Sequence, residues 1–352
     1  MVPWLSTAAD PGRVHTEGRI ARVAVEDARE RVAAMFGTRP RSVVFTSGAT
    51  EAINAAVWGA TERGSHIVAT RVEHSAVIAA SSRYDVMWAP VDTLGRVDVD
   101  AIADAVRPGE TALVHVQWAN HEVGTLQPVV DVIARCRDLG VLVHVDAAAA
   151  AGHVPIAFDE LGADLLSVSA HKFGGPLGVG ALLVRRGLRV RPLLVGAEQE
   201  RSRRAGMENL AAIVGFGAVA STLADVGVVD AEGARCRAQT SRALEAALAL
   251  PGVAAYGDTD HRLPHLVCVG VEGVESEAVL LGLDQAGVAA HSGSACSSES
   301  LEPSPVLEAM GVEAERSLRV SVGWSTTDAD IDAFTTALPR VVTHLRALGT
   351  TN

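Results

Sequence analysis

Asp164-Leu165-Leu166-Ser167-Val168-Ser169-Ala170-His171-Lys172-Phe173-Gly174-Gly175-Pro176 runs from an apolar strand into a turn, and it carries the only lysine in the chain. Asp164 to Ser169 reads as a buried strand, and Gly174-Gly175-Pro176 breaks the chain just past the amine. Every other cation among the thirty Lys and Arg residues is arginine. An amine can lose its proton and attack a carbonyl to form a Schiff base, whereas a guanidinium stays protonated. That singles out Lys172 for carbonyl chemistry, against the plainer reading of one lysine left on a solvated loop. A strand end is also where open α/β sheets bind their ligands.

Outward from this stretch, short β-rich runs alternate with helical ones. Strands are expected at Ser42–Thr46, His66–Thr70, Asp85–Trp88, Ala112–Gln117, Val141–Val145, Asp164–Ser169 and Gly178–Val184. A helix is expected over Glu17–Phe36, and others near Ala49–Thr61, Val99–Val106, Pro128–Asp138 and Phe158–Leu161. Continuous apolar strands alternating with helices imply an α/β fold, with a mostly parallel sheet covered by helices on both faces. Longer helices follow at Glu208–Leu223 and Ala231–Leu248. Beyond Pro251-Gly252 the texture changes: strands at His265–Val269 and Leu318–Val322, helices at Ser276–Gln285 and Asp328–Leu348. The expected division is a large domain over 1–225 and a smaller C-terminal α+β domain over 226–352.

Composition narrows the function classes. Nearly half of the 352 residues are apolar and a fifth are charged, the balance of an ordinary soluble enzyme. A net charge of −12 offers nucleic acid or an anionic membrane no electrostatic attraction. No apolar run reaches a membrane span, and the N-terminal residues are not a signal peptide. Cys136, Cys236, Cys268 and Cys296 are widely spaced with no Cys-x-x-Cys pair, which argues against structural zinc and a disulfide framework and fits a reducing cytoplasm.

Several chemically loaded residues fall at or just beyond expected strand ends. Thr46-Ser47-Gly48-Ala49-Thr50-Glu51 is a small turn opening a helix, an anion site in the making, although Thr-Glu is also an ordinary helix cap. His74 follows the strand ending at Thr70, and a lone histidine there is either a ligand or a satisfied structural residue. Asp146 closes an apolar strand, where a carboxylate needs a partner. A Schiff-base lysine, an aspartate for a pyridinium nitrogen and a phosphate cradle are the protein parts of a pyridoxal phosphate site. Further on, the segment from His291 to Ser300 has almost no side-chain bulk and carries Cys296, a thiol suited to swing towards a substrate. Cys268, inside Leu266-Val267-Cys268-Val269, suits a buried structural thiol instead. Arg319 interrupts an apolar strand, and a bidentate carboxylate partner such as an α-amino acid accounts for it.

Together these residues resemble the cysteine desulfurases of the class V aminotransferase family, closest to the branch serving iron–sulfur cluster assembly and tRNA thiolation. The resemblance runs in register from Asp10-Pro11 and His15-Thr16-Glu17-Gly18-Arg19 to the terminal helix. Its most specific elements are Thr46–Glu51, Val72-Glu73-His74, His144-Val145-Asp146-Ala147, Ser169-Ala170-His171-Lys172 and Ser292–Ser298. It implies pyridoxal 5'-phosphate as cofactor, L-cysteine as substrate, a sulfur-acceptor protein, and a cytoplasmic homodimer completed by the Arg204–Asn209 segment. Residue by residue, it assigns Lys172 to the Schiff base, Asp146 to the pyridine nitrogen, and His74 to ring stacking and proton transfer. Ala49, Thr50, Ser169 and His171 take the phosphate, Arg319 the substrate carboxylate, and Cys296 the sulfur, as a persulfide, while L-cysteine becomes L-alanine.

The pattern departs from the family in four places. The family's N-terminal strand and substrate-lining loop have no counterpart before the match begins. His121 stands where the family has an asparagine near the cofactor hydroxyl, and Ala149 where a glutamine hydrogen-bonds that oxygen. Met207 replaces a threonine that reaches the phosphate of the neighbouring subunit. These changes leave two alternatives open: a related β-lyase acting on selenocysteine or a cysteine conjugate, and a non-catalytic sulfur-carrier homologue.

Overall fold

The computed structural model describes residues 1–7, 9–292 and 303–349. Within it, the apolar runs of the first half become β1 (Val43–Thr46), β2 (His66–Thr70), β3 (Asp85–Ala89), β4 (Thr111–Gln117), β5 (Leu142–Asp146), β6 (Leu165–Ser169) and β7 (Gly180–Val184). They form one sheet in the order β1-β7-β6-β5-β4-β2-β3. The steps from β6 through β5, β4 and β2 to β3 are all parallel, as expected from continuous apolar strands joined by helices. β7 is the exception, antiparallel to both β6 and β1. Only residues 170–179 separate β6 from β7, too few for a crossover helix, so the chain turns back as a hairpin. Lys172 sits in that connection, at the carboxyl edge of the parallel strands.

Helices cover both faces. On one side Ala49–Ala60 and Ser75–Ser81 pack with Val44, Ile67, Leu113, Leu165 and Leu182. On the other, Thr16–Met35, Val129–Asp138 and Leu210–Leu223 enclose a larger core around Phe36, Phe45, Val145 and Phe216. A second apolar core forms around β8 (Val253–Tyr256), β9 (Leu266–Val271) and β10 (Ser317–Ser321), an antiparallel sheet in the order β10-β9-β8. Val228–Leu248, Ser276–Gln285 and Asp328–Gly349 pack on it through residues such as Leu244, Leu283 and Leu338. No single helix among the described residues is long and apolar enough to cross a membrane.

The sequence reading misses β8, because Val-Ala-Ala-Tyr is short, alanine-rich and at a sheet edge. It also misses Ser75–Ser81 and Pro305–Ala309, helices of seven and five residues with too few turns to show a period. The helix expected from Ala231 starts at Val228, just after Gly227 in a left-handed conformation (φ 81°). The strand expected from Gly178 begins at Gly180.

Candidate active site

The carboxyl ends of the parallel strands bring the candidate residues to one place. Ala49, Thr50, His74, His121, Asp146, Ser169, His171, Lys172 and Arg319 all line a single cavity of about 560 Å³. Cys296 lies outside the described residues.

Each wall has a local cause. β1 ends at Thr46 and the chain opens the helix Ala49–Ala60 after Gly48. The first N–H groups of that helix have no intrahelical acceptor, so its start faces the cavity as an anion cradle. Close beneath runs β7: a methyl group on Gly180 would collide with the Val168 carbonyl and the Gly48 backbone, so only glycine lets the strand pass this near the cradle. Glu51 buttresses the same turn, accepting the Ser47 N–H at 2.8 Å and Arg204 at 2.8 and 3.1 Å. Burial works against the Glu51 charge, but Arg204 and Ser47 outweigh it and hold the carboxylate below its ordinary value.

Asp146 is buried at the end of β5. One carboxylate oxygen accepts from the Ala148 N–H at 3.0 Å and from Ser167 Oγ at 3.1 Å. That leaves the second oxygen for a cationic nitrogen in the cavity. Ser169 Oγ at the end of β6 and His171 Nδ1 in the turn that follows lie 3.0 Å apart, so hydroxyl and imidazole are held together beside the cradle. Burial, then the neighbouring Lys172, holds the His171 imidazole below its usual value. Lys172 follows in a single helical turn that closes at Gly174 in the left-handed conformation (φ 88°). Its carbonyl oxygen is 3.0 Å from His153 Nε2, which fixes the turn carrying the amine.

His74 caps the helix Ser75–Ser81: its Nδ1 accepts the Ala76 N–H at 3.1 Å. The ring is therefore in the tautomer with its proton on Nε2. Arg319 arrives from the other sheet. It lies mid-strand in β10, and its Nη1 donates to the His121 carbonyl at 3.1 Å across the gap between the two cores. The two imidazoles His74 and His121 meet edge to face, with centroids 5.2 Å apart.

Sequence reasoning does not single out three supporting residues. Gln117 closes β4 beside Asp146, lines the cavity, and donates to the Val72 carbonyl at 2.9 Å. Ser167, in register with Asp146, is the polar interruption within the apolar strand before Lys172 and orients the carboxylate. Glu73 is buried and accepts the Gln117 N–H at 3.0 Å; burial pushes its carboxyl up to about 8. The sequence signal for all three is a polar residue at or near the end of a buried strand, where burial needs a stated partner. Cys268 is the buried thiol expected, pushed up to about 12 by its surroundings, chiefly burial.

A second cavity of about 400 Å³ adjoins the first and shares His121, Ala149, His171, Lys172 and Arg319 with it. Its far wall holds His153 stacked on His265 at 3.6 Å, with Trp324 beyond.

The family model described as aminotransferase class-V matches residues 5–334. The chain is 40% identical to a cysteine desulfurase of Nostoc sp., over 99% of this chain and 90% of that protein. It is 37% identical to a cysteine desulfurase IscS of Dictyoglomus turgidum, over 99% and 91%. Among solved structures, a NifS-like protein superposes with a TM-score of 0.90 at 30% identity, covering 97% of this chain and 94% of that one. With a family model spanning most of its length and relatives matched almost end to end, the chain belongs to the class-V aminotransferase family.

Proposed function

We propose that the protein is a pyridoxal-phosphate-dependent cysteine desulfurase, converting L-cysteine to L-alanine and passing the sulfur to a cysteine thiol. The observation that carries this reading is the convergence of Lys172, Asp146 and Arg319 in one cavity, a Schiff-base amine, a pyridinium acceptor and a carboxylate binder. The donor set fits the cofactor. The helix start at Ala49 and Thr50, with Ser169 and His171, would hold the phosphate, and the second Asp146 oxygen would take the ring nitrogen. When bound, pyridoxal phosphate supplies the electron sink that makes an amino acid's Cα proton acidic.

The chain's own residues do the rest. The Lys172 amine would anchor the cofactor and, as a free amine, would take the Cα proton of the substrate. Arg319 fixes the substrate carboxylate and so orients the Cα–H bond. His74, its Nδ1 committed to the helix cap, would present Nε2–H to the bound cofactor as a donor. Cys296 receives the sulfur as its thiolate and keeps it as a persulfide until an acceptor protein takes it. Purified protein given L-cysteine and a reductant releases sulfide and alanine in this reading. Full cofactor occupancy with no turnover would sink it. Cys296→Ala abolishes persulfide while leaving the cofactor's visible absorbance, and Lys172→Arg abolishes that absorbance.

Finer features belong to the same proposal. The chain acts as a homodimer in the cytoplasm, Met207 and the Arg204–Asn209 segment facing the partner's site; exposure of Met207 in the single chain supports this. It divides into domains 1–225 and 226–352, supported by the two separate cores. The sulfur serves iron–sulfur cluster assembly. One observation favours a second reading, cleavage of a cysteine bearing a larger substituent. Small Ala149 lines both cavities, which leaves the larger combined space to such a group. Turnover of S-substituted cysteine that survives Cys296→Ala separates the two.

A further inference from the structure

Arg319 reaches the cavity from β10, and among the described residues its guanidinium makes one hydrogen bond, to the His121 carbonyl at 3.1 Å. An arginine side chain is long and rotatable, so its place on a strand does not by itself aim the fork. The carbonyl directs it, leaving the other N–H groups for a carboxylate in the cavity. Whatever holds that carbonyl therefore decides where those groups point.

The His121 carbonyl and the Glu122 N–H belong to one peptide unit, and no peptide bond among the described residues is cis. In a trans peptide the two groups point in opposite directions, so fixing one aims the other. The Glu122 N–H donates to Asn120 Oδ1 at 2.8 Å. Oδ1 also accepts the Val123 N–H at 2.9 Å, while Nδ2 donates to the Val72 carbonyl at 3.1 Å. Two N–H donors on one side and a carbonyl on the other leave this amide a single orientation. Its backbone is pinned as well: the Asn120 N–H donates to the Thr125 carbonyl at 2.9 Å, and the Asn120 carbonyl accepts the Gly124 N–H at 3.0 Å. The Val72 carbonyl also accepts Gln117 Nε2 at 2.9 Å, so the contacts run from the end of β4 to the arginine of the second sheet. Asn120 is fully buried, and water cannot replace the partners it supplies. It does not line the cavity and acts only through the peptide it holds.

We propose that Asn120 is a positioning residue for the substrate's α-carboxylate: by holding the His121–Glu122 peptide it sets the guanidinium of Arg319. This rests on the reading above that the substrate is an α-amino acid. Without Oδ1 the peptide is free to rotate, its carbonyl leaves Arg319, and the fork loses the direction that a two-point contact with a carboxylate needs. Asp146 and the turn carrying Lys172 have partners of their own, so cofactor binding is retained.

The test compares L-alanine with L-alaninamide, in which a neutral amide replaces the carboxylate, as ligands of the holoenzyme. Binding is read from the change each causes in the cofactor's visible spectrum. The wild type binds L-alanine more tightly than the amide. In Asn120→Ala, affinity for L-alanine is expected to fall about 10-fold or more, the scale of one hydrogen bond to a charged group, while affinity for L-alaninamide holds. KM for L-cysteine rises by a similar factor. Asn120→Asp keeps an oxygen for the two N–H groups and recovers most of the loss. Asn120→Ser takes the place of the alanine variant if that one does not retain cofactor. Equal losses for both ligands, as a merely structural role gives, overturn the proposal, and so does wild-type L-alanine affinity in Asn120→Ala. A wild-type enzyme that binds L-alanine no better than the amide overturns it too, because Arg319 then reads no carboxylate. Carboxylate-selective binding that depends on Asn120, without sulfide release from L-cysteine, overturns the desulfurase reading alone and leaves Asn120 in this role.

Discussion

Replacing Glu200 by alanine tests how the turn beside the cofactor cradle is held. Glu200 is joined to Arg29 across 171 residues of sequence, with both side chains 2% exposed. Its two oxygens accept from Arg29 Nη1 and Nη2 at 2.7 Å each, and one also accepts the Phe45 N–H at 2.9 Å. Burial opposes the Arg29 charge, and the pairing with Glu200 more than offsets it, holding the guanidinium above its ordinary value. Removing Glu200 strands a buried cation and orphans a buried N–H. Breaking such a pair costs about 3–5 kcal/mol. The low end is expected here, because Arg29 keeps Glu26 at 3.3 Å and the Val43 carbonyl at 3.0 Å. Urea unfolding followed by tryptophan fluorescence measures the loss. Arg29→Met combined with Glu200→Leu should recover most of it, since an apolar pair of similar size carries no buried charge. A single-mutant loss below about 1 kcal/mol, the range of exposed pairs, refutes the reasoning. So does a double mutant no more stable than the single one. A functional consequence follows, because the turn delivers Arg204 to Glu51 at the cradle. Cofactor affinity should fall in Glu200→Ala along with stability.

Three further outcomes are expected. Ser202 sits at φ 61°, after Glu200 and Arg201 at 49° and 57°, so Ser202→Gly should raise stability by about 1 kcal/mol in the same unfolding assay. Gly180→Ala forces a methyl group into backbone on both sides; it should cost about 1–3 kcal/mol and weaken cofactor retention, read from visible absorbance after dialysis. Glu73 gives a pH dependence. Its carboxyl is raised to about 8 in the folded protein, so between about 4.5 and 8 the native state binds a proton that the unfolded chain has lost. Native stability therefore falls as pH rises through that window, by up to about 1.4 kcal/mol per pH unit. Glu73→Gln keeps the uncharged form and should remove this contribution, leaving a shallower slope in unfolding measured from pH 5 to 8.

What was legible in the sequence was local. A strand ending at Ser169 before a lone amine, a carboxylate closing an apolar strand, and a small turn opening a helix are features of contiguous residues. Backbone geometry carries each to the carboxyl edge of a parallel sheet whatever the rest of the chain does. The alternation of strand and helix was legible for the same reason, since burial on both faces writes itself into every strand. Elements too short for a period, such as Ser75–Ser81 and β8, left no such trace.

The tertiary structure decided what depends on register between distant segments. Ser167 steadies Asp146 only because β5 and β6 pair with those residues side by side. Arg319 reaches the cavity from a separate sheet and ties itself to the His121 carbonyl, 198 residues earlier. The Ala76 N–H sets the tautomer of His74, so its chemical role is decided by a helix start that the sequence pattern does not show. Side chains acquire partners at fixed distances only when separate elements pack. Lys172 can therefore be picked out by reading, while the direction in which each imidazole around it can move a proton cannot.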